Sequence, residues 1–406
     1  MNVTVVLEHR FSRTPDGAIW TPTGFAHSFW TRYLDVFDEV RVAARVREAP
    51  KVPADWQRAD GECVSFAGLP HYLGPQEYLL RFVHVRRAVR EAMEAADAVI
   101  LRTPCTAAAL GEPVLRAARH PYAVEVVGDP HDVFAPGAVR HPLRPFFRWW
   151  FAHHMRRQCA GACAVAYVTA HALQQRYPTG DGAFATHYSS VELPDSAFVP
   201  SARTPRKPTR FALVTVGSLA QLYKAPDVLL DAVAACLRQG LDVSLALIGE
   251  GKHRPELEAR ATALGIADRV NFLGQLPAGE AVRAQLDRAD LFVLPSRTEG
   301  LPRAMIEAMA RALPCIGSTA GGIPELLPLE DMVAPGGAPA LAAKIGEVLS
   351  DPERMARMSR RNVEKAREYR EDILRARRIT LYRRVREKTE AWLKHTDRPR
   401  RESFTP

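Results

Sequence analysis

The chain has 406 residues, of which 47% are hydrophobic and 25% are charged. This length favours two or three domains over a single core, and the ordinary balance of apolar and charged residues excludes the disordered and collagen-like classes. The formal net charge is +9, and residues 351–406 carry eight of these charges, with 18 Lys and Arg against 10 Asp and Glu. Such a basic end suits phosphate, anionic lipid or nucleic acid, although a solvated helix face is the commoner explanation.

The cysteines and the N-terminal segment indicate a compartment. Six cysteines lie among apolar or alanine-rich neighbours without a CxxC pair: Cys63, Cys105, Cys159, Cys163, Cys236 and Cys315. This pattern is typical of reduced, mostly buried thiols in a cytosolic protein. Met1 leads directly into NVTVVLEH, which predicts a strand and lacks a signal-peptide pattern, and no apolar run approaches the ~18 to 20 residues of a spanning helix. We therefore expect a cytoplasmic protein that can still contact the inner face of a membrane.

Short β-branched runs alternate with helical stretches in the first half of the chain. The runs VTVVL, VRVAARV, CVSF, AVILR, YAVEVV and VAYVT predict strands, and helices are predicted at about 24–37, 75–95, 107–118 and 143–159. Continuous apolar strands separated by helices indicate a parallel sheet that is covered on both faces. We expect a doubly wound, Rossmann-like domain over residues 1–195.

A proline-rich segment, PDSAFVPSARTPRKPT at 194–209, is the predicted linker. The alternation then restarts, with strands at RFALVTVGS, DVSLALIGEG, RVNFLG, LFVLPS and PCIGS and helices at about 225–237, 255–264, 279–286 and after Pro302. We expect a second Rossmann-like domain over residues 210–370, followed by helix and a basic tail over 371–406. Two such sheets in series place a cleft between their carboxyl edges, where open α/β sheets bind ligands.

The segment SRTEGLPRAMIEAMA, residues 296–310, carries two glutamates, Glu299 and Glu307, on either side of a Gly-Leu-Pro turn. Pro302 suits the first position of a helix, so the free amides of Gly300 and Leu301 can face an anion there. Two carboxylates would repel a phosphate, which makes them better acceptors for sugar and ribose hydroxyls. The alternative is a capped amphipathic surface helix with incidental glutamates.

A longer run, PSRTEGLPRAMIEAMARALPCIGSTAGGIPEL, closely resembles the E-x7-E signature of the family-four retaining glycosyltransferases. Glu299 and Glu307 stand at its two glutamate positions, and the upstream runs LVTVGSLAQLYKAPDVLLDA, LIGEGKHRPELEARATALGIADRVNFLG and RADLFVLPS follow the family's order. The resemblance covers about residues 211–350 strongly and the first domain more weakly. It implies an α/β protein of GT-B fold, in which two doubly wound Rossmann-like domains face a cleft. The first domain would bind the acceptor, the second the nucleotide sugar, and a C-terminal helix would cross back to the first.

The resemblance implies that Lys224 contacts the diphosphate of the donor. The alternative is that Lys224 is an ordinary exposed lysine in a turn. The family often has an arginine directly after the glycine that matches Gly217, whereas this chain has Ser218. One cationic contact is then missing, and Arg297 or Arg303 could replace it.

The nucleotide would lie against two further glycine-containing turns. The resemblance places Gly249 and Gly251 beside the nucleotide, although an ordinary strand-to-helix turn would explain them as well. Gly274, within Asn271–Gln275, falls in the segment that holds the base through backbone groups.

The first domain matches the family less well. The family has a glycine-rich loop after its first strand, and here only Gly24, preceded by Thr23, stands in that region. Many relatives place a histidine against the donor sugar after the strand that matches YAVEVV. Here Asp129 or His131 would take that position, unless the Gly-Asp-Pro sequence is simply a turn.

The expected mechanism needs neither a metal nor a further cofactor, because no DxD motif is present and the family usually does without one. Lys224 and helix-terminal amides would neutralise the departing diphosphate. The expected catalytic residues are Glu299, Lys224 and Asp129. Glu299 is not assigned the role of a nucleophile.

The segment Arg140 to Gln158, RHPLRPFFRWWFAHHMRRQ, mixes large aromatic residues with arginines on a predicted helix. This mixture suits a lipid headgroup interface, and core packing with arginines at the rim is the alternative. Together with the basic terminus, it suggests peripheral membrane contact.

The expected activity is retaining transfer of a hexosyl or N-acetylhexosaminyl group from a nucleotide diphosphate sugar, a UDP-sugar foremost, to a hydroxyl group. The acceptor would be a glycan, a lipid-linked glycan or a small natural product. One alternative is a GT-B sugar-nucleotide epimerase or hydrolase. The other is a basic nucleic-acid-binding protein, which is disfavoured because no base-reading module accompanies the positive tail.

Overall fold

The computed structural model describes residues 1–22, 24–134, 141–204 and 209–396. Thr23, Arg140, part of the predicted linker (205–208) and the basic tail (397–406) lie outside the described residues. The chain forms two α/β domains, each built on one sheet.

The first sheet is parallel at its centre and carries an antiparallel extension. Its strands in the described residues are β1 (Asn2–Arg13), β2 (Ile19–Thr21), β3 (Glu39–Glu48), β4 (Gln57–Arg58), β5 (Val64–Pro70), β6 (Ala98–Thr103), β7 (Ala123–Val126), β8 (Ala164–Tyr167) and β9 (Phe184–His187). The parallel strands lie in the order β5-β3-β1-β6-β7-β8-β9, and β2 and β4 pair antiparallel beyond the end of β1. The short strands β2, β4 and β9 were not predicted, because they lack a continuous apolar run.

The helices of the first domain cover this sheet. They are α1 (His27–Trp30), α2 (Gly74–Glu94), α3 (Thr106–Ala117), α4 (Pro130–Val133), α5 (Arg144–Gly161) and α6 (Ala172–Arg176). Three of them, α2, α3 and α5, begin and end within two residues of the predicted bounds. The helix predicted at 24–37 is wrong in extent, because α1 has four residues and continues only as a 3-10 turn at Thr31–Tyr33. Phe29, Trp30 and Tyr33 are buried in the core, so aromatic packing holds this segment in place without a longer helix.

The second sheet is entirely parallel. Its strands are β10 (Phe211–Val216), β11 (Val243–Ile248), β12 (Val270–Gly274), β13 (Leu291–Leu294), β14 (Cys315–Ser318) and β15 (Met332–Val333), in the order β12-β11-β10-β13-β14-β15. The helices are α7 (Pro226–Arg238), α8 (Arg254–Ala263), α9 (Glu280–Arg288), α10 (Arg303–Ala310), α11 (Ala338–Leu349), α12 (Pro352–Arg367) and α13 (Glu371–His395). The strand order reverses between β10 and β13, which makes their carboxyl ends the topological switch point of a Rossmann fold.

Helix α13 returns to the first domain and packs against β6, β8 and β9. Leu381 and Tyr382 on its inner face are fully buried. The Arg375 guanidinium donates to both carboxylate oxygens of Asp35, at 3.0 and 2.6 Å. The chain thus ties its C-terminal end to the domain in which it began.

The predicted linker is anchored to the second domain where it is described. The Arg203 guanidinium donates to the carbonyl oxygens of Leu286 and Arg311, at 2.8 and 2.9 Å, and the Val199 amide donates to the Ala310 carbonyl at 3.1 Å. This part of the chain is therefore fixed rather than free.

The thiols agree with the expectation for a reduced protein. All six cysteines are free, and Cys105, Cys159, Cys236 and Cys315 are buried. Across the described part of the chain, no helix combines the length and the apolar character that crossing a bilayer requires.

A buried carboxylate joins the first sheet to the 3-10 turn after α1 and to α13. Glu125, on β7, accepts hydrogen bonds from Arg102 (2.5 Å), Tyr33 (3.1 Å), Tyr188 (2.8 Å) and Tyr382 (3.2 Å). Burial and the nearby Glu125 carboxylate raise the pKa of Tyr33 well above its usual value, so this hydroxyl stays a donor. Four elements distant in sequence therefore depend on one acceptor.

We predict that Glu125→Ala lowers the free energy of unfolding by about 3–5 kcal/mol, because it leaves the Arg102 charge buried without its partner. Urea denaturation measures this change. Glu48→Ala is the control, since the Glu48 carboxylate is largely exposed and pairs with Arg13 at the surface, where a pair contributes about 0–1 kcal/mol. Equal losses in the two variants would contradict the role of Glu125.

Candidate active site

The candidate site lies at the switch point of the second sheet, in the loops that follow β10 and β13. The first loop runs from Gly217 to Ala225 and the second from Pro295 to Pro302. Because β10 and β13 are adjacent parallel strands, their two loops leave the same edge of the sheet. The resemblance had placed most of the expected donor contacts on these loops.

Lys224 ends the first loop in a tightly fixed conformation. A 3-10 turn at Leu222–Lys224 is followed by Ala225 with φ of 54°, and α7 then begins at Pro226. A Cβ at Gly217 would lie 3.0 Å from Lys224 Cγ, so the missing side chain at Gly217 leaves room for the lysine stem. Gly217 therefore acts through Lys224, a role that the sequence did not predict.

Lys224 and Glu299 join the two loops. The Lys224 ammonium donates to Glu299 Oε1, which also accepts from the Ser296 hydroxyl at 2.8 Å. Ser296 is held in turn by the Ser318 hydroxyl, which donates to its carbonyl at 2.6 Å. Glu299 is only 8% exposed. The structure thus brings together the two residues expected to be catalytic in this domain, with Glu299 fixing the position of the lysine.

Arg297 braces the Lys224 turn and does not replace the cation missing at Ser218. Its guanidinium forms a two-pronged pair with the Asp227 carboxylate, at 2.8 and 2.7 Å, and donates to the Leu222 carbonyl at 2.7 Å. Burial raises the pKa of Asp227, but hydrogen bonding and charge from Arg297 outweigh it, so the net pKa lies below the ordinary value. With Arg297 occupied, Arg303 is the remaining basic candidate.

Glu307 lies on α10 as a carboxylate that accepts no hydrogen bond from any described residue. Burial raises its pKa, and the positive charges of Arg303 and Arg283 offset this only in part. Glu192, from the first domain, contributes a further increase in the pKa. Glu307 therefore faces the region between the domains with its acceptor capacity unused.

The turn before α10 has the free donors that the sequence predicted. The amides of Gly300 and Leu301 form no hydrogen bond with other residues in the described ranges. Gly300 also lies against the first domain, because a Cβ there would stand 3.0 Å from the Val127 carbonyl oxygen and 3.5 Å from the Gly128 Cα. The cleft is closed at this point.

The glycines expected beside the nucleotide have another close neighbour. A Cβ on Gly249 would lie 1.9 Å from the Gly217 carbonyl oxygen, and one on Gly251 would lie 2.1 Å from the Ala220 nitrogen. The Gly249 amide donates to the Gly274 carbonyl at 2.9 Å. These glycines let three loops pack backbone to backbone. Ser218, whose hydroxyl accepts from the Ala220 amide at 3.2 Å, is exposed.

Asp129 lies at the first-domain side of the cleft, but its carboxylate already has partners. It caps α4 by accepting from the His131 amide at 2.9 Å, accepts from the Tyr177 hydroxyl at 2.6 Å and pairs with Arg176. At 5% exposure, it stabilises the turn before α4. His131 is about a third exposed, with Nδ1 3.1 Å from both Asp132 and Arg148, and is the better placed of the two for a ligand.

Gly24 does not begin a phosphate-binding helix. It follows β2 rather than the first strand, because β1 turns at Asp16-Gly17 into an antiparallel hairpin. Among the described residues, apart from the chain neighbours of Gly24, none comes within 4 Å of a Cβ placed on it. Helix α1, which follows, has four residues and no side-chain cap.

Sequence reasoning missed Glu325, which joins the two domains. This second-domain carboxylate accepts hydrogen bonds from three first-domain amides at the start of α6, those of Ala170 (2.5 Å), His171 (3.0 Å) and Ala172 (2.8 Å). The signal was present in GGIPEL, where a glutamate follows a Gly-Gly-Ile-Pro turn. Its partner could not be identified, since the partner is backbone.

Metal binding has no candidate site in the ranges that the structure describes, where no three His, Cys, Asp or Glu side chains converge. The expectation of a metal-independent reaction remains a prediction.

Two Rossmann-like domains that face a cleft form the GT-B fold, and solved structures share this fold. Sucrose-phosphate synthase from Thermosynechococcus elongatus aligns over 95% of this chain and 99% of its own, with a TM-score of 0.68 and 17% identity. HepE from Anabaena, in complex with UDP-glucose, aligns over 96% of this chain and 100% of its own, with a TM-score of 0.64 and 18% identity. The predicted GT-B fold is confirmed.

The sequence comparisons are strongest for the second domain. Residues 210–351 match the family model described as Glycosyl transferases group 1. Protein CapJ from Staphylococcus aureus is 25% identical over 302 residues, which is 74% of either chain. The second domain is thus similar to the group 1 glycosyl transferases. Its narrower assignment to the family-four E-x7-E enzymes remains a prediction.

We predict that Glu325→Ala loosens the contact between the domains. The amides of residues 170–172 should exchange with deuterium at least about tenfold faster, because a hydrogen bond to a charged acceptor contributes about 1.5–3 kcal/mol. Hydrogen exchange with mass spectrometry measures this directly. Glu330→Ala is the matched control, since Glu330 is an exposed carboxylate of the same domain, 4.0 Å from Arg361. Unchanged exchange at residues 170–172 would show that Glu325 does not hold the domains.

Proposed function

We propose that this protein is a retaining glycosyltransferase that moves a hexosyl or N-acetylhexosaminyl group from a nucleotide diphosphate sugar, most readily a UDP-sugar, to an acceptor hydroxyl. The second domain holds the donor and the first presents the acceptor. The observation that carries this proposal is the joining of Lys224 and Glu299 across the switch point, with Glu307 unpartnered on the helix that follows.

Lys224 is the primary diphosphate contact in this proposal. An ammonium is a compact charge that suits a pyrophosphate, and its pairing with Glu299 holds it above the site before the donor arrives. The unpaired amides of Gly300 and Leu301 add donors at the start of α10, where the helix dipole also favours an anion. Together they stabilise the negative charge that develops on the departing diphosphate.

The transfer step needs no protein nucleophile. The bond between the anomeric carbon and the diphosphate oxygen breaks, and its electron pair leaves with the nucleoside diphosphate. The acceptor oxygen bonds to the same face of that carbon, and its proton passes to the departing diphosphate oxygen. Glu299 positions Lys224 in this scheme and does not attack the sugar.

Glu307 and the turn at Asp129 bind the two ends of the donor. The Glu307 carboxylate accepts hydrogen bonds from the ribose hydroxyls, because its oxygens have no other hydrogen-bond donor among the described residues. His131 contacts the transferred sugar, and Asp129, fixed by Arg176 and Tyr177, holds the His131 turn in place. No metal ion is required, since Lys224 and backbone amides supply the positive potential.

The acceptor is a glycan, a lipid-linked glycan or a small molecule. HepE, which shares the fold, was solved with UDP-glucose, and this supports a UDP-sugar as the first donor to test. We further propose a cytoplasmic location with peripheral contact to the inner face of the membrane.

A donor panel tests the proposal. We predict that one member of a set of UDP-, GDP-, ADP- and dTDP-sugars raises the melting temperature of the wild-type chain, because saturation at about 100 times Kd adds about 2.7 kcal/mol of stability. Lys224→Ala and Glu307→Ala should abolish this shift. Lys365→Ala is the control for lost lysine charge, since Lys365 pairs with Glu368 on the surface of α12.

Turnover gives a second measurement on the same variants. Lys224→Ala should lower kcat by about two to three orders of magnitude, the usual effect of removing one group that stabilises developing charge. Proton NMR of the product should show the donor's anomeric configuration. Full activity in both Lys224→Ala and Glu307→Ala, or an inverted product, would reject the proposal.

A further inference from the structure

Most of the large apolar side chains that are exposed lie on two helices of the first domain and directly before them. Among the described residues, nine large hydrophobic side chains are exposed: Leu73, Leu79, Leu80, Val83, Val133, Leu143, Phe146, Trp149 and Leu329. Seven of the nine lie on α2, on α5 or directly before these helices, and Val133 lies on α4. Exposed hydrophobic residues scattered singly are ordinary, whereas a cluster marks an interaction site.

The two helices lie on the same side of the first sheet, because α3 packs against both of them. Helix α2 follows β5 and helix α5 follows β7, so each begins near the carboxyl edge of the sheet, which is the edge that faces the cleft. The apolar side chains occupy the first half of each helix. We define the α2–α5 face as Leu79, Leu80 and Val83 on α2, Leu143 directly before α5, and Phe146 and Trp149 on α5.

The α2 part of this face is strongly exposed. Leu80 is 85% exposed, Val83 73% and Leu79 71%, whereas Val85 and Val89 on the opposite side of the same helix are buried in the core. The helix therefore has two apolar faces, and the domain covers only one of them. Leaving three aliphatic side chains in water costs free energy that a covering surface would recover.

The α5 part of the face is aromatic. The rings of Phe146 and Trp149 lie 6.2 Å apart, and Trp149 stacks on His153 at 5.5 Å, so successive turns present one continuous stripe. Tryptophan is enriched where an apolar layer meets water, because its indole ring is apolar and its N–H is polar. The stripe fits the boundary of a lipid layer.

The charges around the face have one prevailing sign. Helix α5 has no acidic residue and four arginines: Arg144, Arg148, Arg156 and Arg157. Helix α2 has three glutamates and four arginines: Arg81, Arg86, Arg87 and Arg90. Apolar side chains bordered by arginines are the composition of helices that lie in the headgroup region of an anionic bilayer. A docked protein partner would not require this excess of positive charge.

We propose that the α2–α5 face is a membrane-docking surface for bilayers with anionic headgroups. This inference assigns a surface to the membrane contact proposed above, and it does not depend on sugar transfer. A bilayer on this face would lie beside the entrance of the cleft, since both helices begin at the cleft edge of the sheet. If the proposed transferase function is correct, a lipid-linked acceptor would enter from this side.

The test is co-sedimentation of the full chain with vesicles at low salt. We expect the wild-type chain to bind vesicles of phosphatidylcholine with about a third phosphatidylglycerol, and to bind vesicles of phosphatidylcholine alone at least about tenfold more weakly. The double variant Leu80→Gln, Trp149→Gln should reduce binding to the acidic vesicles by about tenfold or more. Both positions are exposed, so the melting temperature should not change.

Leu329→Gln is the matched control, because Leu329 is 78% exposed and lies on the second domain, away from the α2–α5 face. It should bind vesicles as the wild-type chain does. Absence of wild-type binding at low salt, or equal binding by the double variant, would overturn the proposal. Concentration-dependent association of the wild-type chain that the double variant abolishes, without vesicle binding, would also overturn it and identify a second copy as the occupant. Because no donor is needed, failure here leaves the glycosyltransferase proposal standing.

Discussion

The candidate site depends on one ion pair, in which the Lys224 ammonium meets the Glu299 carboxylate between the loops after β10 and β13. Lys224 ends a 3-10 turn and Glu299 lies in an irregular segment, so the position of each side chain depends on its neighbours. Gly217, in the same loop as Lys224, leaves space for the lysine stem. Arg297, from the other loop, pairs with Asp227 and braces the Lys224 turn. A strongly hydrated charge is thereby held at the switch point of the sheet, where a parallel α/β fold binds its ligands.

The same loops determine how the two domains meet. Gly300 and Gly322 have no side chains, and their backbones approach the first domain at Val127 and Thr169. Glu325 adds a charged acceptor for three amides of that domain. Because α13 crosses back to pack on β6, β8 and β9, the second domain is attached on two sides. A donor must enter between surfaces that are in contact here, so the Glu325 contact is where we expect opening to begin.

The sequence was most informative where structure is local. Buried strands and long helices have hydrophobic periodicity, which explains why α2, α3 and α5 were placed within two residues, whereas the half-exposed β9 was missed. The switch-point loops could be located because Pro302 and the two glutamates form a continuous motif. Partners distant in the chain left no such signal. Asp129 is held by Arg176 and Tyr177, 47 and 48 residues away. This pairing makes Asp129 a support for its own turn, and its contact with the donor sugar remains a prediction.

A double-mutant cycle on UDP affinity tests the central claim most directly. Isothermal titration would compare the wild-type chain with Lys224→Met, Glu299→Gln and the double variant. If Glu299 acts by holding Lys224 against the diphosphate, the double variant should lose no more affinity than Lys224→Met alone, because contacting groups couple. Additive losses of UDP affinity in the double variant, or an unchanged UDP affinity in Lys224→Met, would contradict the account.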